Sequence, residues 1–205
     1  MNDRAKSFVK EFLTQGTRSR PAVFLDRDGT VSEEVGYMQS LSMYSVFPWT
    51  SRAIRRINDI GWAAVLVTNQ SGVGRGLFDN GLVEQVHGLL RGEIAREGAR
   101  LDGIYYCPHL PDDGCECRKP RPGMLQRASQ EMKLDLGRSF VIGDRYSDIR
   151  TGVAVGARTI LVLSGAGTEQ HERYRGDEIQ PDYVVPTLDH AVELILGVSG
   201  WREDL

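Results

Sequence analysis

The chain has 205 residues, of which 40% are hydrophobic and 26% are charged, and its formal net charge is −3. This composition is typical of a globular protein with a real apolar core, and it excludes collagen-like, low-complexity and disordered chains. The acidic balance gives no electrostatic reason to expect nucleic acid, and the longest apolar run, the six residues from Trp62 to Val67, is far shorter than the roughly 20 of a membrane span.

The first 20 residues differ in charge from the rest. They carry five basic and two acidic side chains, a local +3, which leaves −6 for the remainder. Phe8, Val9, Phe12 and Leu13 have helical spacing, which predicts a short amphipathic helix. We expect residues 1–20 to be an extension that packs on the domain or frays, with a partner-binding or membrane-surface helix as the alternative. No secretory signal is recognisable, so we expect a cytoplasmic protein without a membrane partner.

From residue 21 onward, short apolar runs alternate with helical patterns. The apolar runs predict strands at 22–25, 63–67, 104–106, 140–142, 159–163 and 183–185. Apolar stripes and capping residues predict helices at 50–59, 82–97, 122–133, 147–155 and 188–196. A long loop at 29–47 and a polar stretch at 164–182 do not fit the alternation. The pattern is typical of one α/β domain with a largely parallel, doubly wound sheet.

Ligands of such sheets gather at the carboxyl ends of the strands. Asp26 and Asp28 follow the first predicted strand, and residues two apart in an extended chain point to the same side. Two carboxylates in one site repel each other unless a cation lies between them. An oxygen-preferring ion such as Mg²⁺ would remove this conflict, although two acidic turn residues at the end of a strand are the alternative.

The next two candidates follow other strands. Thr68 and Ser71, with Gly72, offer hydroxyl and backbone N–H groups to an anion; a helix-capping turn is the alternative. Asp144 follows the fourth predicted strand and would be a third carboxylate at the same edge. Asp148 would lie beside this metal site or act as a negative charge at a helix N-terminus.

All three cysteines lie between residues 107 and 117, with one of the four histidines. An odd number of cysteines is a poor disulfide framework. Cys107, His109, Cys115 and Cys117 would instead close a tetrahedral shell around zinc with no open position. This spacing predicts a structural zinc site, with reduced cysteines in a loop as the alternative.

Two basic residues follow the cysteines directly. Lys119 is a candidate to neutralise phosphate oxygens, and Arg118 could clamp a substrate through two hydrogen bonds. Without the neighbouring motifs, both would be interpreted as solvated surface residues.

The order of these segments resembles that of the haloacid dehalogenase-like phosphatases, on residues 24–30, 67–72, 118–120 and 142–145. Within that superfamily the chain is similar, from about residue 21 to 196, to the D-glycero-D-manno-heptose 1,7-bisphosphate phosphatases and the related histidinol-phosphatases. Segments 35–37, 103–106 and the Cys/His loop carry this closer resemblance. It implies a Rossmann-like, doubly wound, mainly parallel sheet over residues 21–198, with a zinc-stabilised loop, no large cap domain and a tail at 199–205.

The resemblance also implies roles for individual residues. Asp26 would be the nucleophile that forms an aspartyl-phosphate, and Asp28 the general acid and then base. Mg²⁺ would be held by Asp26, the backbone carbonyl of Asp28, and Asp144, while Thr68 and Lys119 would bind the transferring phosphoryl group. The rest of the substrate would contact Glu34, Val35, Gly36, Tyr37, Asn69, Gln70, Ser71, Arg118 and Arg145.

The implied activity is removal of the C7 phosphate of heptose 1,7-bisphosphate in nucleotide-activated heptose synthesis. Independently of the resemblance, a compact monomer is the default expectation for a chain of this size. Histidinol phosphate or another small sugar phosphate is the alternative substrate. A phospho-binding scaffold with an inactive fold is a third possibility, against which the intact acidic residues and Lys119 argue. The chain departs from the pattern twice, because Arg145 replaces the usual lysine and only five residues separate His109 from Cys115.

Overall fold

The computed structural model of the chain describes residues 19–37 and 40–198. The strands are β1 (Ala22–Leu25), β2 (Ala63–Asn69), β3 (Gly103–Cys107), β4 (Phe140–Gly143), β5 (Arg158–Val162) and β6 (Tyr183–Val185). The α-helices are α1 (Thr50–Asp59), α2 (Ser71–Gly74), α3 (Asn80–Ala95), α4 (Gly123–Met132), α5 (Tyr146–Val153), α6 (Gly167–Arg173) and α7 (Leu188–Val198). Short 3-10 helices occupy Leu41–Met43 and Leu136–Arg138.

The six strands form one sheet in the order β3-β2-β1-β4-β5-β6, and every neighbouring pair is parallel. Strand β1 lies between β2 and β4, with Phe24 opposite Val65 on one side and Val141 on the other. The chain winds outward from β1 to β3 and then returns to continue from β4 to β6. The gap between β1 and β4 is therefore the switch point, beside which ligands bind in open α/β sheets. The predicted doubly wound parallel fold is confirmed.

The core lies on both faces of the sheet. Val23 and Leu25 pack into a cluster with residues of α1, α3 and α7, whereas Ala22 and Phe24 pack on the opposite face with residues of α4. Each of these strand residues is completely buried. Helices that cover both faces explain why the first strand is a continuous apolar run without alternation.

Several predicted boundaries needed correction. The stretch 164–182 contains α6, which the sequence analysis missed because the helix has no apolar stripe and only Gly167 of it is buried. Helix α3 begins at Asn80, two residues early, because the Asp79 carboxylate accepts a hydrogen bond from the Leu82 N–H (2.8 Å) and caps it. Strand β2 runs two residues past its predicted end, to Asn69.

The chain termini lie mostly outside the described ranges. The predicted amphipathic helix and the tail at 199–205 fall there. Arg20 is described; it pairs with Asp102 at 3.0 Å and joins Leu134 through a β-bridge. None of the helices in the described ranges combines the length and the apolar character that crossing a bilayer requires.

Candidate active site

A pocket of about 410 Å³ opens at the carboxyl ends of the central strands. Of the residues predicted to act on substrate, Val35 alone is absent from its lining. Asp144 lies beneath, completely buried. The lining residues are Asp26, Asp28, Glu34, Gly36, Tyr37, Thr68, Asn69, Gln70, Ser71, Gly72, Phe78, Arg118, Lys119, Arg145 and Ser147.

The turn after β1 places two carboxylates in this pocket. The Asp26 N–H donates to the Ile142 carbonyl (2.9 Å) and so extends the ladder between β1 and β4 by one residue. Gly29 then turns the chain with a φ of +78°, a conformation that is strained for other residues. A Cβ at Gly29 would also collide with the Asp144 carboxylate. Glycine is thus required here both for the turn and for the close approach of Asp144.

Asp28 is held by a buried arginine that the sequence analysis did not single out. Arg27 donates from Nε to Asp28 Oδ1 (3.0 Å) and from Nη2 to Oδ2 (2.8 Å). Gln70 Nε2 also donates to Asp28 Oδ2, at 2.9 Å. Burial raises the pKa of the Asp28 carboxyl above its ordinary value; Arg27 opposes this rise and the Asp26 carboxylate adds to it. A fixed carboxyl with a raised pKa is suited to general acid–base catalysis.

Lys119 lies across the pocket floor. Its Nζ is 2.9 Å from Asp26 Oδ1 and 2.5 Å from Asp148 Oδ1, and it donates to the Val67 carbonyl at 2.9 Å. Burial alone would lower the pKa of Lys119, but Asp148 and Asp26 raise it well above its ordinary value, so the ammonium stays charged. Asn69 makes two 3.1 Å hydrogen bonds to the Lys119 backbone and so fixes the position of the lysine.

Three buried carboxylates form a candidate magnesium centre. Oxygens of Asp26, Asp144 and Asp148 lie within 4.8 Å of one another. Burial, followed by repulsion from Asp26 and Asp148, raises the pKa of Asp144 to about 8. Asp144 Oδ2 accepts from the Ala166 N–H (2.8 Å), while Oδ1 has no hydrogen-bond partner among the described residues. This donor set fits a hard divalent cation, which would relieve the repulsion and supply a partner for the orphaned oxygen.

Asp148 lies in both of its predicted places, beside the other two carboxylates and in the first turn of α5. Its Oδ1 contacts Lys119, while its Oδ2 accepts from the Arg145 N–H (3.2 Å) at the start of α5. Burial raises the pKa of Asp148 to about 6, against the lowering effect of Lys119. A Cβ at Gly143 would collide with this carboxylate, so the glycine at the end of β4 makes room for it.

The Cys/His loop brings its four predicted ligands together. The sulfur atoms of Cys107, Cys115 and Cys117 lie 3.1–3.6 Å apart, and His109 Nδ1 is 3.2 Å from Cys117 Sγ and 3.5 Å from Cys107 Sγ. Zinc–sulfur bonds of about 2.3 Å in a tetrahedron place sulfurs about 3.8 Å apart, so the cluster has nearly the dimensions of a zinc shell. The cysteines form no disulfide. The residues therefore fit a structural zinc ion.

The residues predicted to contact the substrate, Val35 excepted, line this pocket. Gln70 Nε2 donates to Thr68 Oγ1 (2.9 Å) as well as to Asp28, so it contacts two of the residues predicted to be catalytic. Arg118 donates to the His109 carbonyl at 3.2 Å, which ties it to the Cys/His loop. Ser71 begins α2. Val35 is half-buried beside the lining residues.

Comparison with other proteins finds relatives that are similar to this chain in sequence. The HAD-hydrolase-like family model matches residues 116–191. A D-glycero-beta-D-manno-heptose-1,7-bisphosphate 7-phosphatase from Yersinia pestis is 40% identical over 73% of this chain and 84% of its own length. A D-glycero-D-manno-heptose-1,7-bisphosphate 7-phosphatase from Thermosynechococcus vestitus is 40% identical over 86% and 95%.

A solved structure agrees with these relatives. The D,D-heptose 1,7-bisphosphate phosphatase from B. bronchiseptica, crystallised with magnesium and phosphate, matches with a TM-score of 0.80 and 32% identity, over 87% of this chain and 99% of that one. This chain belongs to the heptose-bisphosphate phosphatase family of haloacid dehalogenase-like hydrolases. The resemblance stated from the motifs is confirmed.

Other pocket residues of this heptose-bisphosphate phosphatase family member escaped the sequence analysis. Phe78 lines the pocket, and a Cβ at Gly72 would collide with its ring. Gly72 is therefore needed for the packing of the Phe78 ring, and not only for the predicted contact between its backbone N–H group and an anion. The sequence did offer one signal for Arg27, which is its position between two candidate carboxylates. An arginine that is buried beside a strand end needs an acidic partner, and both of its neighbours in the chain are acidic.

Proposed function

We propose that this protein is a magnesium-dependent phosphatase that removes the C7 phosphate of D-glycero-D-manno-heptose 1,7-bisphosphate. The observation that carries the proposal is the contact between the buried Asp26 carboxylate and the charged Lys119 ammonium, with Asp28 beside them on the same pocket. A nucleophile, an acid–base group and a fixed cation are the parts that phosphoryl transfer through a covalent intermediate needs.

The first step is attack of an Asp26 oxygen on phosphorus, which breaks the bond to the C7 oxygen of the sugar and leaves an aspartyl-phosphate. Asp28, in its protonated form, donates a proton to the departing oxygen. Its raised pKa increases the fraction that carries this proton. Lys119 neutralises charge on the phosphoryl oxygens, and Thr68 contributes its hydroxyl group as a hydrogen-bond donor.

The second step reverses the role of Asp28. The carboxylate takes a proton from water, the resulting oxygen attacks phosphorus, and the bond to Asp26 breaks to release phosphate and restore the nucleophile. Arg27 and Gln70 orient the ionised Asp28 carboxylate, the form that acts as the base in this step. Mg²⁺, held by Asp26, Asp144 and the backbone carbonyl of Asp28, would supply charge neutralisation at the phosphoryl group.

The charge of the pocket rim supports a bisphosphate. Above Lys119 on the pocket floor, Arg118 and Arg145 also line the pocket, and Arg145 is paired with Glu34. Arg118 therefore offers a cation to the phosphate that is not transferred. An amine such as that of histidinol phosphate would be repelled by Arg118, and the Glu34 carboxylate that could receive it is already paired with Arg145. The Cys/His loop belongs to this proposal as a structural zinc site that positions Arg118. A monomeric state and a cytoplasmic location stay predictions of the sequence.

The test compares kcat/KM on both anomers of heptose 1,7-bisphosphate and on histidinol phosphate in Mg²⁺ buffer. We expect the preferred bisphosphate anomer to exceed histidinol phosphate by at least tenfold, which is about 1.4 kcal/mol. Asp26→Asn is the control, because it preserves shape but removes the nucleophile and should abolish turnover with an unchanged circular dichroism spectrum. A tenfold preference for histidinol phosphate would overturn the substrate, and near-normal turnover of the variant would overturn the nucleophile.

A further inference from the structure

Residues 34–37, here called the substrate loop, rise from a paired base beside the pocket. The Glu33 N–H donates to the Ser45 carbonyl (2.9 Å), and the Phe47 N–H donates to the Val31 carbonyl (3.1 Å). The segment that leaves β1 and the segment that enters α1 are therefore joined side by side. The substrate loop above this base contributes Glu34, Gly36 and Tyr37 to the pocket lining.

Glu34 uses both carboxylate oxygens to fix this loop. Its Oε1 accepts from the Gly36 N–H at 2.9 Å, and its Oε2 pairs with Arg145 Nη2 at 2.9 Å. The side chains of Glu34 and Arg145 are 31% and 45% exposed, and an exposed ion pair contributes little to folding. The pair nevertheless lies at the mouth of the pocket, where it neutralises a carboxylate that would repel a phosphorylated ligand.

A second arginine holds the same loop from the other side. The Arg75 guanidinium carbon lies 5.8 Å from the centre of the Tyr37 ring, within the range of a cation–π contact. Arg75 follows α2, after β2, whereas Arg145 follows β4. Because β2 and β4 flank β1 in the sheet, the two arginines approach the loop from opposite sides.

We propose that Arg145 and Arg75 are positioning residues that hold the substrate loop over the pocket, and that Glu34 and Arg145 act in substrate binding as one unit. The family resemblance treats Glu34 and Arg145 as separate substrate contacts, whereas the ion pair couples them. The proposal deepens the proposed function and rests on it for its kinetic test. Loss of Arg145 has two consequences, because it frees the loop and leaves the Glu34 carboxylate unpaired toward the substrate phosphates.

The kinetic test is a double-mutant cycle on heptose 1,7-bisphosphate. We expect Arg145→Met to raise KM about tenfold and Glu34→Gln about threefold. The double variant should be no worse than Arg145→Met, because the second change removes the unpaired carboxylate. All three should keep kcat within about twofold, since Asp26, Asp28 and Lys119 are untouched. If KM of the double variant rises about thirtyfold, the product of the two single effects, the two residues act independently and the proposal fails. If kcat falls while KM stays constant, their role is purely structural, which also contradicts the proposal.

The Arg75 contact has its own conservative variant. Arg75→Met should raise KM about threefold, while Arg75→Lys should restore most of the loss, because an ammonium also binds an aromatic face. Equal impairment of both variants would contradict a cation–π contact. The matched control is Arg127→Met, which breaks an exposed 2.8 Å pair with Glu131 on α4, away from this pocket, and should leave KM unchanged.

Hydrogen exchange tests the contacts of the substrate loop independently of catalytic activity. Hydrogen exchange at the Gly36 amide should accelerate in Glu34→Gln and Arg145→Met, with β1 amides unchanged as the internal control. If the wild type does not hydrolyse heptose 1,7-bisphosphate, the proposed function fails, while accelerated exchange still supports the loop contacts. If hydrolysis is normal and exchange at Gly36 is unchanged in Arg145→Met, the loop proposal fails and the function stands.

Discussion

At the scale of single residues, the chemistry available in the pocket is set by the partner that each charged side chain contacts. Asp26 and Asp28 are two residues apart, yet their environments differ. Asp26 faces Lys119, which remains charged, while Asp28 turns toward Arg27 and Gln70. This division separates the proposed nucleophile, which contacts a charged ammonium, from the proposed acid–base group, whose pKa is raised by burial.

Arg27 gives a first prediction at this scale. Replacement by methionine should lower kcat about ten- to a hundredfold, because Asp28 would lose two of its three donors and its fixed orientation, and general acid–base groups contribute about 10²–10⁴ in rate. Arg27→Lys should recover only part of the rate, since an ammonium cannot reproduce the two-pronged contact. Steady-state kinetics with a melting curve for each variant decide the outcome. An unchanged kcat in a folded Arg27→Met protein would contradict the role.

At the scale of elements, the loop between β3 and α4 carries the cysteines and then leads directly to Arg118 and Lys119. Cys107 ends β3, and Arg118 and Arg121 donate to the carbonyls of His109 and Cys115. A metal bound by the four side chains would therefore fix the backbone from which Arg118 and Lys119, the proposed phosphate-binding residues, extend.

The second prediction concerns this loop. Cys115→Ser should lower zinc content from about one ion per chain toward zero and raise KM severalfold through misplaced Arg118 and Lys119, because a tetrahedral structural site needs all four ligands. Metal analysis of protein purified without chelator measures the first effect. The matched control is Glu116→Gln, which removes a charge between Cys115 and Cys117 but leaves all four ligands intact. This variant should retain zinc. Full zinc retention in Cys115→Ser, or zinc-free wild-type protein, would contradict the assignment.

Strands and their end residues were the most predictable elements. Apolar runs in the sequence marked each of the six strands in the described ranges. Because parallel strands share one carboxyl edge, Asp26, Thr68 and Asp144 could be placed together from the sequence alone. Helix α6 could not be predicted, because its polar residues make little contact with the core. The contacts of Arg27 and Arg75 also escaped, because side-chain direction depends on packing between segments distant in sequence.

At the scale of the whole molecule, the buried carboxylates couple folding to pH and, under the proposed function, to Mg²⁺ binding. With a pKa raised to about 8 in the folded state, against 3.8 ordinarily, Asp144 binds a proton that the unfolded chain releases. Between these values the folded state holds more protons, so the metal-free protein loses stability as pH rises toward 8. Mg²⁺ bound as proposed would need the ionised form of Asp144, so its binding would displace that proton.

The third prediction follows from this linkage. Mg²⁺ at about a hundred times its Kd should raise Tm by about 5–10 °C at pH 8.5, and by about 2 °C or less at pH 6, where the proton on Asp144 competes. Thermal melts with and without Mg²⁺ at the two pH values measure the difference. In Asp144→Asn the metal-free Tm should change less with pH and the Mg²⁺ effect should shrink at both values. An equal Mg²⁺ shift at pH 6 and pH 8.5 would show that no proton leaves the site when the ion binds.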